Sequence, residues 1–330
     1  MTEIIAVPKL AALALSFFGI IGSGVCAIAY PLLRGRLAAL APVIRAPTLV
    51  AWSMAPCLSA LTLTGFCFLP LVLNLLGWSP AQCSQDSLSH PHFCSGHPHL
   101  LLDDRLAWGA FALGGGLMLF AAVTQLYRWL DARRALSALA ITSRYDASRG
   151  VHTVASHVPF ALTAGLWRPE IYLSSRLVAS LPADMLEVVI AHEQAHARRR
   201  DGLTQFIAGL LSLMHLPWIR RRLLADLALA CEEACDEVAA HHVGDRLHVA
   251  HTLLTVARLF SGALPGQALA ASFADGHVVE RVESLLADDA NRSYSRLSEY
   301  VVLTLGLIAV IWAAEPLHHL TEILLRLLAR

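Results

Sequence analysis

The residues with the most immediate chemical promise in this sequence are His192-Glu193-Gln194-Ala195-His196. Four residues of α-helix advance about 400°, so the two imidazoles fall about 40° apart on one face and one turn apart along the axis. That spacing suits chelation of a single divalent ion, with Glu193 beside it to take the proton of an attacking water. A catalytic zinc site usually has three protein ligands and one open position, so a third ligand is required. Glu232, in Cys231-Glu232-Glu233-Ala234-Cys235-Asp236, is the best candidate, because Asp236 one turn later can accept the remaining ring N–H of a liganding histidine and orient it. Glu233 stands as a competing ligand about 100° around the helix. Cys231 and Cys235 read as packing thiols, since a thiolate ligand would weaken the Lewis acidity of such a site. Taken without His192 and His196, the run Glu232, Glu233, Asp236 and Glu237 would read as a solvated helix face. Zinc on two neutral histidines and one carboxylate, with Glu193 moving a proton from water to a leaving amine, is the chemistry of peptide hydrolysis without a covalent intermediate. His241 and His242 are candidates for stabilising the oxyanion, or surface residues.

Two helices must carry these groups. Pro182 opens the first, with Asp184 and Glu187 early and Met185, Leu186, Val189 and Ile190 at helical spacing. Arg198, Arg199, Arg200 and Asp201 end it. The second runs from about Trp218 to Ala240. Before them, His152 to Val158, Phe160 to Thr163 and Glu170 to Ser174 read as short strands, the last following a Gly165-Leu166-Trp167-Arg168-Pro169 turn, so the domain is α+β. Between the helices, Gly202 to Ile219 lacks Lys, Arg, Asp and Glu and is long enough to cross a bilayer. Crossing would part His196 from Glu232 by about 30 Å, whereas metal bonds are about 2 Å long. The stretch is therefore expected inside the domain or against the inner leaflet, broken by Pro217, with the zinc near the membrane surface.

Composition places this domain on a membrane. Hydrophobic residues make up 56% of 330, and charged residues 15%, against about 25% in soluble proteins. Disordered, collagenous and coiled-coil classes are excluded. Twenty-five basic and 25 acidic residues give zero formal charge, so no global field favours direct nucleic-acid binding. Seven cysteines are too few for a disulfide-built scaffold. Uncharged runs at 10–33, 46–78 and 106–127 predict three spans, and a shorter one at 300–314 a fourth. The first exceeds the apolar core of a signal peptide and has little positive charge before it. Arg34, Arg36 and Arg45 after the first span, and Arg128, Arg133, Arg134, Arg144 and Arg149 after the third, mark the cytoplasmic side. The expected organisation is a membrane region 1–127 with an external N-terminus and external loop 79–105, a cytoplasmic domain 128–296, and a fourth span with a short external tail in 297–330.

The external loop holds Cys83, His90, His92, Cys94, His97 and His99. Imidazole and sulfur suit Cu(I), Cu(II), Zn or Ni, which makes a metal-sensing loop one reading. A Pro-broken connector closed by a Cys83–Cys94 disulfide is the other.

Several segments together resemble the BlaR/MecR-type membrane zinc metallopeptidases, the antirepressor family. They are Pro159 to Leu173, Leu181-Pro182-Ala183, the His192 to His196 motif with Arg199, Arg200 and Asp201, and Glu232 to Asp236. The resemblance implies a gluzincin-like domain on the cytoplasmic side of a four-span frame in a bacterial inner membrane. By position it implies one Zn2+ on His192, His196 and Glu232, Glu193 as base and Asp236 as orienting partner. It further implies signal-dependent proteolysis of a BlaI-type winged-helix repressor or of the chain itself. The departure is equally informative: the β-lactam sensors of the family carry a penicillin-binding domain after the last span, and here only 316–330 follow. Antibiotic sensing is thus not implied. Two alternatives stay open. A quality-control protease of the Ste24/HtpX kind shares H-E-x-x-H and a later Glu-x-x-x-Asp but lacks the Gly-Leu-Trp-Arg-Pro signature, and a noncatalytic membrane sensor would use metal only for structure. The oligomeric state is open, a homo-oligomer being compatible with the sequence.

Overall fold

The computed structural model describes residues 2–77, 104–261 and 277–287. The loop carrying Cys83, His90, His92, Cys94, His97 and His99, and the expected fourth span in 297–330, lie outside the described residues.

Helices α1 (Thr2–Ala38) and α2 (Pro42–Leu75) form an antiparallel hairpin. Within them Ala14–Ala38 and Pro42–Phe66 are long and apolar enough to cross a membrane. Small residues let their backbones approach: a Cβ on Gly22 would come within 3.3 Å of Pro56 Cα. Arg34, Arg36 and Arg45, read from the sequence as a connector, are helical instead. Nothing between Arg34 and Ala38 breaks a helix, and Pro42 sits at the first turn of α2, where its missing N–H costs nothing. Helix α3 (Asp104–Thr142) contains the uncharged run 106–127 and continues well past it to the start of the sheet.

The sheet is small and mixed, in the order β1-β2-β4-β3. Strand β1 (Ser143–Asp146), not anticipated from the sequence, pairs antiparallel with β2 (Val151–Val154). Strand β2 runs parallel to β4 (Glu170–Ser174), and β4 pairs antiparallel with the edge strand β3 (Ala161–Ala164). The β3–β4 turn depends on Gly165, whose φ of +110° and 2.5 Å hypothetical Cβ contact with Arg168 O admit no side chain.

Short α4 (Ser175–Ser180) leads into α5 (Ala183–Arg199), which lays Leu186 and Val189 on Val151, Ala161, Ile171 and Leu173 of the sheet. Its other flank, with Val188 and Ala191, packs on Ala239 and Ala240 of α7 (Pro217–Val243), Val249 and Ala250 of α8 (Arg246–Ser261), and Leu285 of α9 (Val278–Leu286). A third cluster joins Tyr30, Ala46 and Leu49 of the hairpin to Leu223, Leu227 and Cys231 of α7. Leu223 and Leu227 are wholly buried, each contributing about 1.5–3 kcal/mol.

The apolar stretch between the two site helices doubles back. Helix α6 (Asp201–Leu211) rises only about 16 Å, well short of a bilayer. A 3-10 turn, Ser212–Met214, follows, and Pro217 then starts α7 at its first position. The turn lodges in the hairpin: Ser23 Oγ donates to Met214 O, His215 Nε2 donates to Trp52 O at 3.0 Å, and Met214 packs with Phe18, Ala60 and Leu63. The expectation that Gly202 to Ile219 does not separate the two helices thus has its structural counterpart, and α5 and α7 lie side by side.

Candidate metal centre

Helix α5 starts after Pro182 with Asp184 in its first turn and ends with His196, Arg198 and Arg199 in its last, charges that complement the helix dipole. Its termination is set by Arg200 in the left-handed region (φ 54°), which turns the chain so that Asp201 opens α6 beside His196. His192 and Glu193 are buried.

His192 Nε2 and His196 Nε2 lie 3.1 Å apart. Glu232 faces both: its Oε2 is 3.4 Å from His192 Nε2 and its Oε1 3.4 Å from His196 Nε2. Ligands at metal bonds of about 2.0–2.1 Å in tetrahedral array are separated by about 3.3 Å, close to the spacing of the two Nε2 atoms and of each from its nearer Glu232 oxygen. The far side of each ring is tied to a carboxylate. His192 Nδ1 donates to Asp236 Oδ1 at 2.9 Å and His196 Nδ1 to Asp201 Oδ2 at 2.9 Å. With Nδ1 as donor in each neutral ring, both Nε2 lone pairs point toward the shared space.

Electrostatics say the same. Burial opposes charging of His192 and His196, yet the carboxylates facing them outweigh it, and both imidazoles titrate above the ordinary value of 6.5. Burial likewise opposes ionisation of Glu232, but His192, His196 and Arg281 hold its carboxyl well below the usual range. Its Oε2 is buried, facing His192 and Arg281. Two inward lone pairs and an ionised carboxylate together make a donor set suited to a divalent cation.

The surroundings hold the remaining groups. Glu193, 1% exposed, is within 2.7 Å of Thr163 Oγ1 on edge strand β3, and the same hydroxyl lies 2.9 Å from Glu193 O. Arg281 on α9 donates from Nε and Nη2 to Asp236, both at 2.7 Å, and its Nη1 lies 3.0 Å from Glu232 Oε2. Cys235 donates to Asp201 at 3.3 Å. Burial pushes the Cys235 thiol up to about 11 and that of Cys231 to about 12, so neither offers a thiolate near neutral pH. His196, Asp201 and Cys235 do cluster closely enough to suggest a second ion, but the Nδ1 they would need is already bonded.

Of the residues singled out from the sequence, the structure brings His192, Glu193, His196, Glu232 and Asp236 to one place. It turns Glu233 away from the imidazoles, onto Arg45 of α2. His241 and His242 are exposed at the end of α7, where His242 faces Glu187 at 3.8 Å. Three residues in contact with this group are absent from the sequence-derived candidates. Asp201 enters the sequence reading as part of a helix terminus and of the family-like segment but with no contact to His196, although its place five residues after that histidine is a usable signal. Thr163 carried no signal beyond its strand. Arg281 had none, being 45 residues from Asp236.

The family model described as BlaR1 peptidase M56 matches residues 113–285, just over half of the chain. No curated protein matches the chain, and no solved structure does.

Proposed function

The chain belongs to the BlaR1 peptidase M56 family, and from that premise we propose that it is a membrane-embedded zinc endopeptidase whose metal is held by His192, His196 and Glu232. The observation that carries this is the convergence of the two Nε2 atoms, 3.1 Å apart, with one oxygen of Glu232 at 3.4 Å from each, and both Nδ1 atoms tied off by carboxylates. A zinc ion bound there supplies the Lewis acidity that polarises a peptide carbonyl and acidifies water.

The chain's own groups do the rest. Glu193 takes the proton of the attacking water and passes it to the leaving amine. Thr163 fixes that carboxylate through its hydroxyl. Asp236 and Asp201 hold the two imidazoles in the tautomer that presents Nε2 inward. Arg281 neutralises the crowd of carboxylates, fixing Asp236 and Glu232.

The active site is assigned to the cytoplasmic side. Arg45, at the arginine-rich end of the α1/α2 hairpin, pairs with Glu233, the residue next to Glu232, so the site sits at the end that the positive-inside rule places in the cytoplasm. With α3 as the third span and a fourth in 297–330, the chain would be a four-span protein of the bacterial inner membrane. Its substrate is a protein, a BlaI-type winged-helix repressor or the chain itself. The test is Glu193→Gln in the full-length protein, with zinc content and cleavage measured together. Metal should stay at one ion per chain while cleavage of a co-expressed repressor and of the chain ceases. Persisting cleavage would refute the assignment of Glu193, and absence of metal from the wild-type protein would refute the site.

A further inference from the structure

Helix α7 carries four acidic residues toward two different neighbours. Asp226 and Glu233 are seven residues apart, two helical turns, and so share a face. That face is bolted to the spanning hairpin. Tyr30 donates to Asp226 at 2.6 Å, and Arg34 donates to both oxygens of Asp226 at 2.7 and 2.8 Å. Arg45, 7% exposed, pairs through Nη2 with Glu233, 6% exposed, while its Nη1 donates to Ala38 O at 3.1 Å. One guanidinium thereby joins the last residue of α1, the first turn of α2 and the middle of α7. Glu232 and Asp236 lie on the adjoining face, about 100° around, toward the two imidazoles of α5.

We infer that Arg45 is a positioning residue for the metal ligand Glu232, acting through its buried pair with Glu233; this rests on the zinc reading proposed above. The residue between the clamp and the ligand is none at all: Glu233 and Glu232 are consecutive on a rigid helix, so where Arg45 holds one it places the other. Metal bonds tolerate errors of only about 0.2 Å, whereas slipping α7 by one residue moves its side chains about 1.5 Å along the axis. The carboxylate of Glu232 is therefore in register with His192 and His196 only while α7 keeps its place on the hairpin. Glu233 pairs with Arg45 on the hairpin side of α7, so the pair acts on the site by placing the helix that carries Glu232.

The experiment uses the full chain in detergent, stripped of metal and titrated with Co2+, whose visible absorption reports both affinity and coordination geometry. Variants are Arg45→Lys, which keeps the charge but loses the planar fork whose two arms meet Ala38 and Glu233, Glu233→Gln, and the double Arg45→Met/Glu233→Met, which replaces a buried ion pair by apolar packing. Circular dichroism checks that each is folded. Each single variant should weaken Co2+ binding roughly tenfold or more and alter the absorption band, and the double variant should recover most of the affinity. Singles that bind within about twofold of wild type, or a double variant no better than the worse single, overturn the positioning role and leave the metal centre standing. Should one single variant fail to fold, the other single and the double decide by the same criteria. A wild-type chain that binds no Co2+ overturns the metal reading itself.

Discussion

Asp201 offers the sharpest test of how the metal centre is held. Its Oδ2 accepts from His196 Nδ1 at 2.9 Å and from Cys235 at 3.3 Å, and Arg199 Nε lies 3.3 Å from its Oδ1. Asp201→Asn keeps the shape and an acceptor oxygen but discards the charge. A hydrogen bond to a charged group is worth about 1.5–3 kcal/mol and a neutral one about 0.5–1.5, so the substitution removes about 1–1.5 kcal/mol of support for the ring as a ligand. That corresponds to roughly a tenfold loss in zinc affinity. Asp201→Ala also removes the acceptor and leaves His196 free to turn or change tautomer, which should carry the loss toward a hundredfold. Competition against a chelator of known affinity, on the purified full-length chain at fixed pH and ionic strength, measures both. Cleavage should fall in parallel and return when zinc is raised above the new dissociation constant. If both variants bind zinc within about twofold of wild type, Asp201 does not orient the ligand, and the role assigned to the His196–Asp201 bond is wrong.

Other consequences follow from the same geometry. In the metal-free protein His192 and His196 titrate above 6.5, so the stability their imidazolium forms add through Asp236, Asp201 and Glu232 is complete below about pH 6.5 and is lost as pH rises through the raised values. Thermal melts of chelator-treated protein should fall across that rise, and added zinc should lift the melting temperature most at the high-pH end, since binding requires neutral rings. A melting temperature of the metal-free protein that climbs over that range would contradict this. Thr163→Val removes the hydroxyl 2.7 Å from Glu193 and should lower kcat about tenfold without changing zinc content. Unchanged turnover would show that the bond does not position the base. Arg281→Met strands Asp236 and Glu232 without their buried guanidinium and should destabilise the fold by about 3–5 kcal/mol, read as the shift of the denaturation midpoint. A shift below about 1 kcal/mol would mean that the histidines alone satisfy these carboxylates.

The contrast between α5 and α7 shows where sequence information runs out. His192, Glu193 and His196 were legible because their relation is local: a helix's 3.6-residue period fixes it before any tertiary contact forms. Asp236 as a partner of Glu232 was legible for the same reason. The apolar runs declared the hairpin, since only a bilayer or a large core accommodates such lengths without charge. Strand β1, Ser-Arg-Tyr-Asp, was not legible, because a short half-exposed edge has neither the alternation nor the apolar content that marks a strand.

What the sequence could not announce is which distant residues the acidic run meets. Helix periodicity favours Glu232 as ligand with Asp236 one turn on and Glu233 as competitor, but says nothing of Arg45 or Arg281. Tertiary structure alone gives Glu233 to Arg45 of α2 and brings Arg281 of α9 onto Asp236 and Glu232. The physical reason is that carboxylates differ in function only through what they face once buried. Those partners come from helices 188 and 45 residues away, brought together by apolar packing that carries no record of the charges it will juxtapose.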